Sequence, residues 1–181
     1  MNDFKQYARR IVIAAAIIVV GFLLQTSVFS RFQLASVSPN VILCIVATYG
    51  FMKGKKKGIL VGFFSGLLLD IFSGSFFGLY ALIYMYVGFI NGLFRKQFYG
   101  DDLKLPLILI GTSDLLYGIV SYVALFLTRG RSGFGYYLVH IIFPELIYTI
   151  FIAIFVYYII LHISNTIDKL EKKGSDRFGT Y

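Results

Sequence analysis

The sequence predicts an all-α integral membrane protein with six transmembrane helices and both termini in the cytoplasm. Of its 181 residues 58% are hydrophobic, the mean hydropathy is +0.78, and the charged residues lie in short patches between long uncharged runs. Lysine and arginine also recur at alternate ends of these runs. No polar stretch is long enough for a soluble domain, so we expect one membrane-embedded domain over residues 1–181.

The first two spans follow from the spacing of the charges. No charged residue lies between Arg10 and Arg31 or between Arg31 and Lys53. At about 1.5 Å per residue, each run is long enough to cross a hydrocarbon core of roughly 30 Å. We predict spans at about 11–30 and 34–52. The first is expected to be retained, because no small-x-small cleavage site follows it.

The third and fourth spans share one long run. From Gly58 to Phe94 the only charge is Asp70, and a single helix of that length would be nearly twice as long as the membrane is thick. The chain must therefore turn, and the glycines and serines of SGSFFG, residues 73–78, favour a turn there. The predicted spans are at about 58–72 and 78–94.

The last two spans contain an acidic residue each. A fifth span is predicted at about 105–128, interrupted only by Asp114. The final run has no glycine between residues 136 and 162, so we predict one long helix at about 136–163 with a kink at Pro144. A cytoplasmic tail is expected at 165–181.

The distribution of basic residues supports this arrangement. With the N-terminus inside, 14 of the 17 lysines and arginines lie on the cytoplasmic side, and only Arg31, Arg129 and Arg131 lie outside. The net charge of +8 is then explained by topology and by attraction to anionic lipids. No nucleic-acid partner is expected.

A row of glycines with four-residue spacing runs through the third span. In GKKKGILVGFFSGLLLDIFSG, Gly58, Gly62 and Gly66 are one helical turn apart, and Asp70 follows at the outer end. Membrane helices associate by close van der Waals contact, and small residues at this spacing let two backbones approach. We predict that the row packs against another helix of the same bundle, with an intersubunit contact as the less favoured alternative. Gly74 and Gly78 extend the row into the turn.

Three acidic residues lie within predicted spans: Asp70, Asp114 and Glu145. A carboxylate that faces lipid near the bilayer centre costs on the order of 3 kcal/mol on insertion scales, so these side chains should face the bundle interior, a cavity or a partner. Three interpretations stay open: a proton or cation relay, a polar ligand pocket, and hydrogen bonds across helix interfaces.

Enzymatic and metal-binding patterns are not evident in the sequence. Cys44 is the sole cysteine, which excludes an intramolecular disulfide and a cysteine metal cluster. His140 and His162 lie roughly 33 Å apart along one predicted helix, too far to share a metal. No nucleophile motif or phosphate loop is present. We expect no enzyme activity, cofactor or metal.

The segment 39–94 resembles the MreD family of rod shape-determining membrane proteins. The resemblance rests on Pro39 and Asn40, which open the second span, and on the G-x-x-x-G-x-x-x-D pattern that ends at Asp70. A loosely spaced glycine turn followed by LYAL completes the match. The Pro-Glu pair at 144–145 is a weaker similarity.

The resemblance implies a non-catalytic component of the bacterial elongation machinery in the cytoplasmic (inner) membrane, which supports rod shape and lateral peptidoglycan synthesis. Such a protein is expected to bind the bitopic protein MreC directly. MreB, RodA and a class B penicillin-binding transpeptidase are expected in the same complex. The resemblance also implies a fold similar to the six-helix substrate-binding (S) component of energy-coupling-factor transporters.

Two transport functions remain as alternatives. A vitamin-type small-solute transporter component would bind its ligand among the acids and tyrosines. The first helix, however, has alanines clustered at 14–16 instead of the Ala-x-x-x-Ala spacing that such components commonly show. A proton-driven exporter would need Asp114 and Glu145 to face one water-filled cavity, and it is less favoured because the chain has no evident internal repeat.

Overall fold

The computed structural model describes residues 2–33, 37–73, 77–97, 103–125 and 134–176, which form six continuous helical segments. This confirms the all-helical class. The segments are α1 (Asn2–Leu23) with a π-helical turn (Leu24–Val28), α2 (Val41–Lys53), α3 (Lys55–Ser73), α4 (Leu79–Leu93) with a 3-10 turn (Phe94–Gln97), α5 (Lys104–Leu125), and α6 (Phe134–Tyr137), which continues through a π-helical turn (Leu138–Ile142) into α7 (Phe143–Asp176).

Three segments are long and apolar enough to cross a membrane, namely Tyr7–Val28, Lys104–Ala124 and Phe134–Ile167. They correspond to the first, fifth and sixth predicted spans. The other three helices are shorter or more charged. The helices α2 and α4 have 13 and 15 residues. The helix α3 has three lysines in its first turn and Asp70 near its end.

The second span differs from its prediction because its first part is not helical. α2 begins only at Val41, and the preceding residues 37–40 are non-helical, while 34–36 lie outside the described residues. Thirteen residues rise about 20 Å, less than a hydrocarbon core of roughly 30 Å. Non-helical backbone is tolerated at membrane depth where protein covers it, and Asn40 at the end of this segment is only 2% exposed.

α2 is the central helix of the bundle. Of its 13 residues 11 are buried, and it packs against α1, α3, α4, α5 and α7. Its sequence VILCIVATYGFMK is apolar on every side, as expected for a helix that is covered all round.

A single residue, Gly54, joins α2 to α3. It has φ +92, a left-handed backbone conformation that glycine adopts without steric cost, and its N–H donates a hydrogen bond of 2.8 Å to the carbonyl oxygen of Gly50. The predicted inner loop is therefore reduced to one residue, and Lys55, Lys56 and Lys57 form the first turn of α3.

The last helical segment contains a π-helical turn directly before Pro144. The N–H of Phe143 donates to the carbonyl oxygen of Leu138, five residues earlier. Proline has no N–H to continue the regular pattern, and the wider turn accommodates this. The helix then runs to Asp176, so most of the predicted tail continues the helix. Residues 177–181 lie outside the described part.

Candidate functional site

The glycine row of α3 lies directly against the backbone of α4. A Cβ atom added at Gly62 would overlap the carbonyl group of Tyr84, and one added at Gly66 would overlap the backbone of Tyr80 and Ala81. At Gly58 it would overlap the carbonyl oxygen of Gly88. The row therefore seats a helix of the same chain, as the favoured interpretation predicts.

Glycines of two other helices complete this contact. A Cβ at Gly50 of α2 would lie 2.6 Å from the carbonyl oxygen of Gly88, and one at Gly92 would overlap the backbone of Lys55. Backbones of α2, α3 and α4 thus meet near the α2–α3 turn without intervening side chains. Gly88 and Gly92 have the same four-residue spacing, so this half of the interface also carries a local sequence signal, although it is not among the predicted contacts.

Asp70, at the other end of the row, caps the N-terminus of α4. Its Oδ1 accepts a hydrogen bond of 3.0 Å from the N–H of Tyr80, and its Oδ2 accepts one of 3.0 Å from the N–H of Ala81. These are among the first four amides of α4, which have no acceptor within the helix. The carboxylate also lies at the positive end of the helix dipole. Asp70 is 4% exposed, so the cap is shielded from solvent.

Gly78 explains why α4 needs a cap from another helix. It is the N-cap residue of α4, has φ 95 in the left-handed region, and provides no side-chain cap. Nothing lies within 4 Å of a Cβ built there. Gly74, the other predicted turn glycine, lies outside the described residues.

Asn40 holds the buried start of α2. Its side-chain Oδ1 accepts a hydrogen bond of 3.1 Å from the N–H of Leu43, the usual geometry of an asparagine N-cap. The same oxygen accepts a bond of 2.7 Å from the hydroxyl of Tyr84 in α4. Pro39, the preceding residue, is fully buried. Asn40 therefore links the start of α2 to α4.

Two further side chains satisfy the backbone amides of this buried helix end. The N–H of Asn40 donates a hydrogen bond of 3.1 Å to Oγ1 of Thr149 in α7. The N–H of Ile42 donates a hydrogen bond of 3.0 Å to Oε1 of Gln25 in the π-helical turn after α1. Four parts of the chain therefore meet at residues 40–43.

Asp114 lies beside this network, in the middle of α5. It is 3% exposed, its carboxyl group interacts with the Thr149 hydroxyl, and its Oδ1 has no hydrogen-bond partner among the described residues. Glu145 is half-buried and close enough to Asp114 for electrostatic interaction. These two predicted acids therefore lie within electrostatic range of each other, whereas Asp70 has its own role at α4.

Three tyrosine rings pack against one another within electrostatic range of the acids. The ring of Tyr117 lies 5.7 Å from that of Tyr84 and 6.3 Å from that of Tyr80, measured between centroids. No local sequence pattern marks Tyr84 and Thr149 as partners of Asn40, so sequence reasoning misses both. Within the described part of the chain, no group of three or more His, Cys, Asp or Glu side chains is arranged to hold a metal ion.

Comparison with known proteins identifies the family. Searches of curated proteins and of solved structures find no significant match. The profile of one family, described as rod shape-determining protein MreD, matches residues 5–166. That range covers the second span, the glycine row and the acids of α5 and α7. The chain therefore belongs to the MreD family of rod shape-determining membrane proteins.

Proposed function

We propose that this chain is a non-catalytic, multi-pass component of the elongation machinery in the bacterial cytoplasmic membrane, with both termini inside. In this role it binds MreC directly and supports lateral peptidoglycan synthesis in a complex with MreB, RodA and a class B penicillin-binding transpeptidase. The observation that carries the proposal is the backbone-to-backbone contact of α2, α3 and α4, closed by the Asp70 cap.

A scaffold needs a surface whose geometry does not change. Because glycines bring the backbones of α3 and α4 into contact, no side-chain rearrangement can loosen this interface. The two hydrogen bonds from Asp70 fix where α4 begins. Together they hold the outer end of the α3–α4 pair in one position.

The outer end of this pair exposes large apolar side chains. Ile71 is 64% exposed and Phe77 is 74% exposed. Phe72 is 68% exposed although its ring also contacts Phe22 of α1. We assign the docking of MreC to this surface, because MreC is expected to be bitopic and a membrane-spanning helix is predominantly apolar.

The experiment is a detergent pull-down of the tagged full chain from its native membrane, with mass spectrometry of the partners. Wild type should recover MreC and the wall-synthesis enzymes. Asp70→Ala and Gly62→Leu should lose MreC and rod shape. Gly111→Ala is the matched control, because a Cβ there makes only ordinary contacts of 3.4 Å or more with Ile150 and Leu146.

A surface variant separates loss of docking from loss of folding. Phe77→Ala removes an exposed ring without touching the α3–α4 contact, so the protein should stay folded and monodisperse while MreC recovery falls. If MreC is recovered equally with Asp70→Ala, Gly62→Leu and Phe77→Ala, the proposed docking surface is wrong.

A vitamin-type transporter component is the second candidate, favoured by one observation. The buried Oδ1 of Asp114 has no hydrogen-bond partner among the described residues, so it is available to accept a hydrogen bond from a polar group of a bound molecule. In the same pull-down, recovery of an ATPase pair and its coupling protein without MreC would support this function over the first.

A further inference from the structure

An apolar groove of about 410 Å³ runs between α1 and α3. This volume lies within the range of roughly 300–1,000 Å³ that is typical of small-molecule sites. Its walls are formed by Ile11, Ala14, Ala15 and Ile18 of α1 and by Leu60, Val61 and Phe64 of α3. Ile11, Leu60 and Phe64 are more than half exposed, so the groove is open on its lipid side.

One end of the groove is basic. Arg10 of α1 and Lys57 of α3 line it, together with the aromatic residues Tyr7 and Tyr49. Arg10, Lys57 and Tyr49 also line a small neighbouring cavity with Lys53 of α2. Three basic side chains from three helices therefore converge within two adjoining cavities.

The two walls run in the same direction. α1 precedes α2 and α3 follows it, and α2 runs in the opposite direction to both, so α1 and α3 are parallel. The basic residue therefore comes first on both helices, and the apolar wall follows. On α1, Arg10, Ala14 and Ile18 are one turn apart, and on α3 Lys57 precedes Val61 by one turn. The groove is thus charged at one membrane surface and apolar towards the bilayer centre.

We propose that this groove binds one anionic glycerophospholipid. An acyl chain lies between α1 and α3, and the phosphate-bearing headgroup contacts Arg10 and Lys57. Lysine and arginine side chains near a membrane surface attract anionic lipid headgroups. The basic end of the groove therefore selects a negatively charged headgroup, whereas the apolar walls accept any acyl chain.

A lipid suits this groove better than a second helix does. Close helix packing in membranes needs rows of small residues, and the glycine row of α3 is already occupied by α4. The wall that α3 presents to the groove consists of the bulky side chains Leu60, Val61 and Phe64. A flexible acyl chain conforms to such a surface.

Native mass spectrometry of the purified full chain tests this proposal. The protein is incubated with equal amounts of phosphatidylglycerol and phosphatidylcholine that carry the same acyl chains. Wild type should retain one phosphatidylglycerol with a several-fold preference. The double variant Arg10→Gln/Lys57→Gln should lose the preference, and Ala14→Phe, which fills the groove, should reduce retention of both lipids.

Two control variants test whether loss of a positive charge or addition of a ring outside the groove has the same effect. Lys96→Gln removes a basic residue outside the groove, and Ala16→Phe adds a ring at an exposed position of α1 that does not line it. Both should behave like wild type. Retained preference in the double variant would overturn the proposal, as would equal effects of Ala14→Phe and Ala16→Phe. A dimer that Ala14→Phe disrupts, with lipid retention unchanged, would assign the groove to a second copy.

Discussion

At the scale of single residues, Asp70 provides the side-chain cap for a helix that is not its own. Its two oxygens accept from the amides of Tyr80 and Ala81, where Gly78 provides no side chain to do so. An acidic residue within a predicted span is a candidate for proton or ion transfer by default. Here both carboxylate oxygens have backbone partners, so hydrogen bonding across a helix interface accounts for this acid.

Replacing Asp70 should destabilise the protein in a graded way. Asp70→Ala leaves two amides without an acceptor, which we expect to lower the free energy of unfolding by about 2–4 kcal/mol. Asp70→Asn keeps one acceptor oxygen and should cost about half as much. Unfolding in mixed micelles, followed by circular dichroism, measures both. Equal losses for the two variants would contradict a capping role.

The Asn40–Tyr84 hydrogen bond gives a second prediction at this scale. Tyr84→Phe removes one donor to Asn40 Oδ1 and should cost about 1 kcal/mol, whereas Asn40→Ala also removes the cap of Leu43 and should cost about 2–3 kcal/mol. In a double-mutant cycle the two changes should be coupled by 0.5 kcal/mol or more. The same micelle titration provides the energies, and strict additivity would argue against the bond.

At the scale of helices, the α3–α4 contact determines how a methyl group added at a glycine changes the free energy of unfolding. Alanine is a better helix former than glycine by up to about 1 kcal/mol, so Gly→Ala within a helix is stabilising where space permits. At Gly62 and Gly66 the added Cβ would overlap the backbone of α4. Backbone cannot rotate away as a side chain does, so the two helices must separate.

Gly62→Ala and Gly66→Ala should therefore each lower the free energy of unfolding by about 1–3 kcal/mol in spite of their better helix propensity. Gly111→Ala in α5, where the nearest atom to the new Cβ is the flexible Cδ1 of Ile150 at 3.4 Å, should be neutral or slightly stabilising. Thermal unfolding of the three variants under identical detergent conditions tests this. A tolerated alanine at Gly62 would mean that the helices are not in backbone contact.

The helices themselves could be predicted because charge spacing and glycine clusters are local signals. Pro39 and Asn40 mark the start of α2 locally, but the side chains that cover this start could not be predicted, since the amides of Asn40 and Ile42 are bonded by Thr149 and Gln25, 109 and 17 residues away. Tyr84 and Thr149 lie 44 and 109 residues from Asn40, and no local pattern reports such a pairing. The spacing of Gly58, Gly62 and Gly66 likewise predicts a close contact but does not identify its partner.

At the scale of the whole molecule, the position of the basic residues relates the bundle to the membrane. Lys55–Lys57 begin α3, and Arg95 and Lys96 follow α4 directly, so the α2–α3 turn and the end of α4 share one basic end. The Asp70 cap and the exposed Phe77 lie at the opposite end. In the proposed topology with a cytoplasmic N-terminus, the basic end would face inward and the Asp70 end outward, where MreC docking is proposed.

Cysteine labelling tests this orientation. Cys44 is fully buried and is replaced by alanine to give a background without thiols. In spheroplasts, a membrane-impermeant maleimide should label Ser30→Cys and Phe77→Cys, whereas Lys56→Cys and Lys96→Cys should react only after permeabilisation. All four positions are exposed at the ends of helices, so a lack of reaction at the two lysine positions before permeabilisation reports location and not burial within the chain. Labelling of the two lysine positions in intact spheroplasts would reverse the topology, and the outer docking surface and the inward basic groove would then exchange sides.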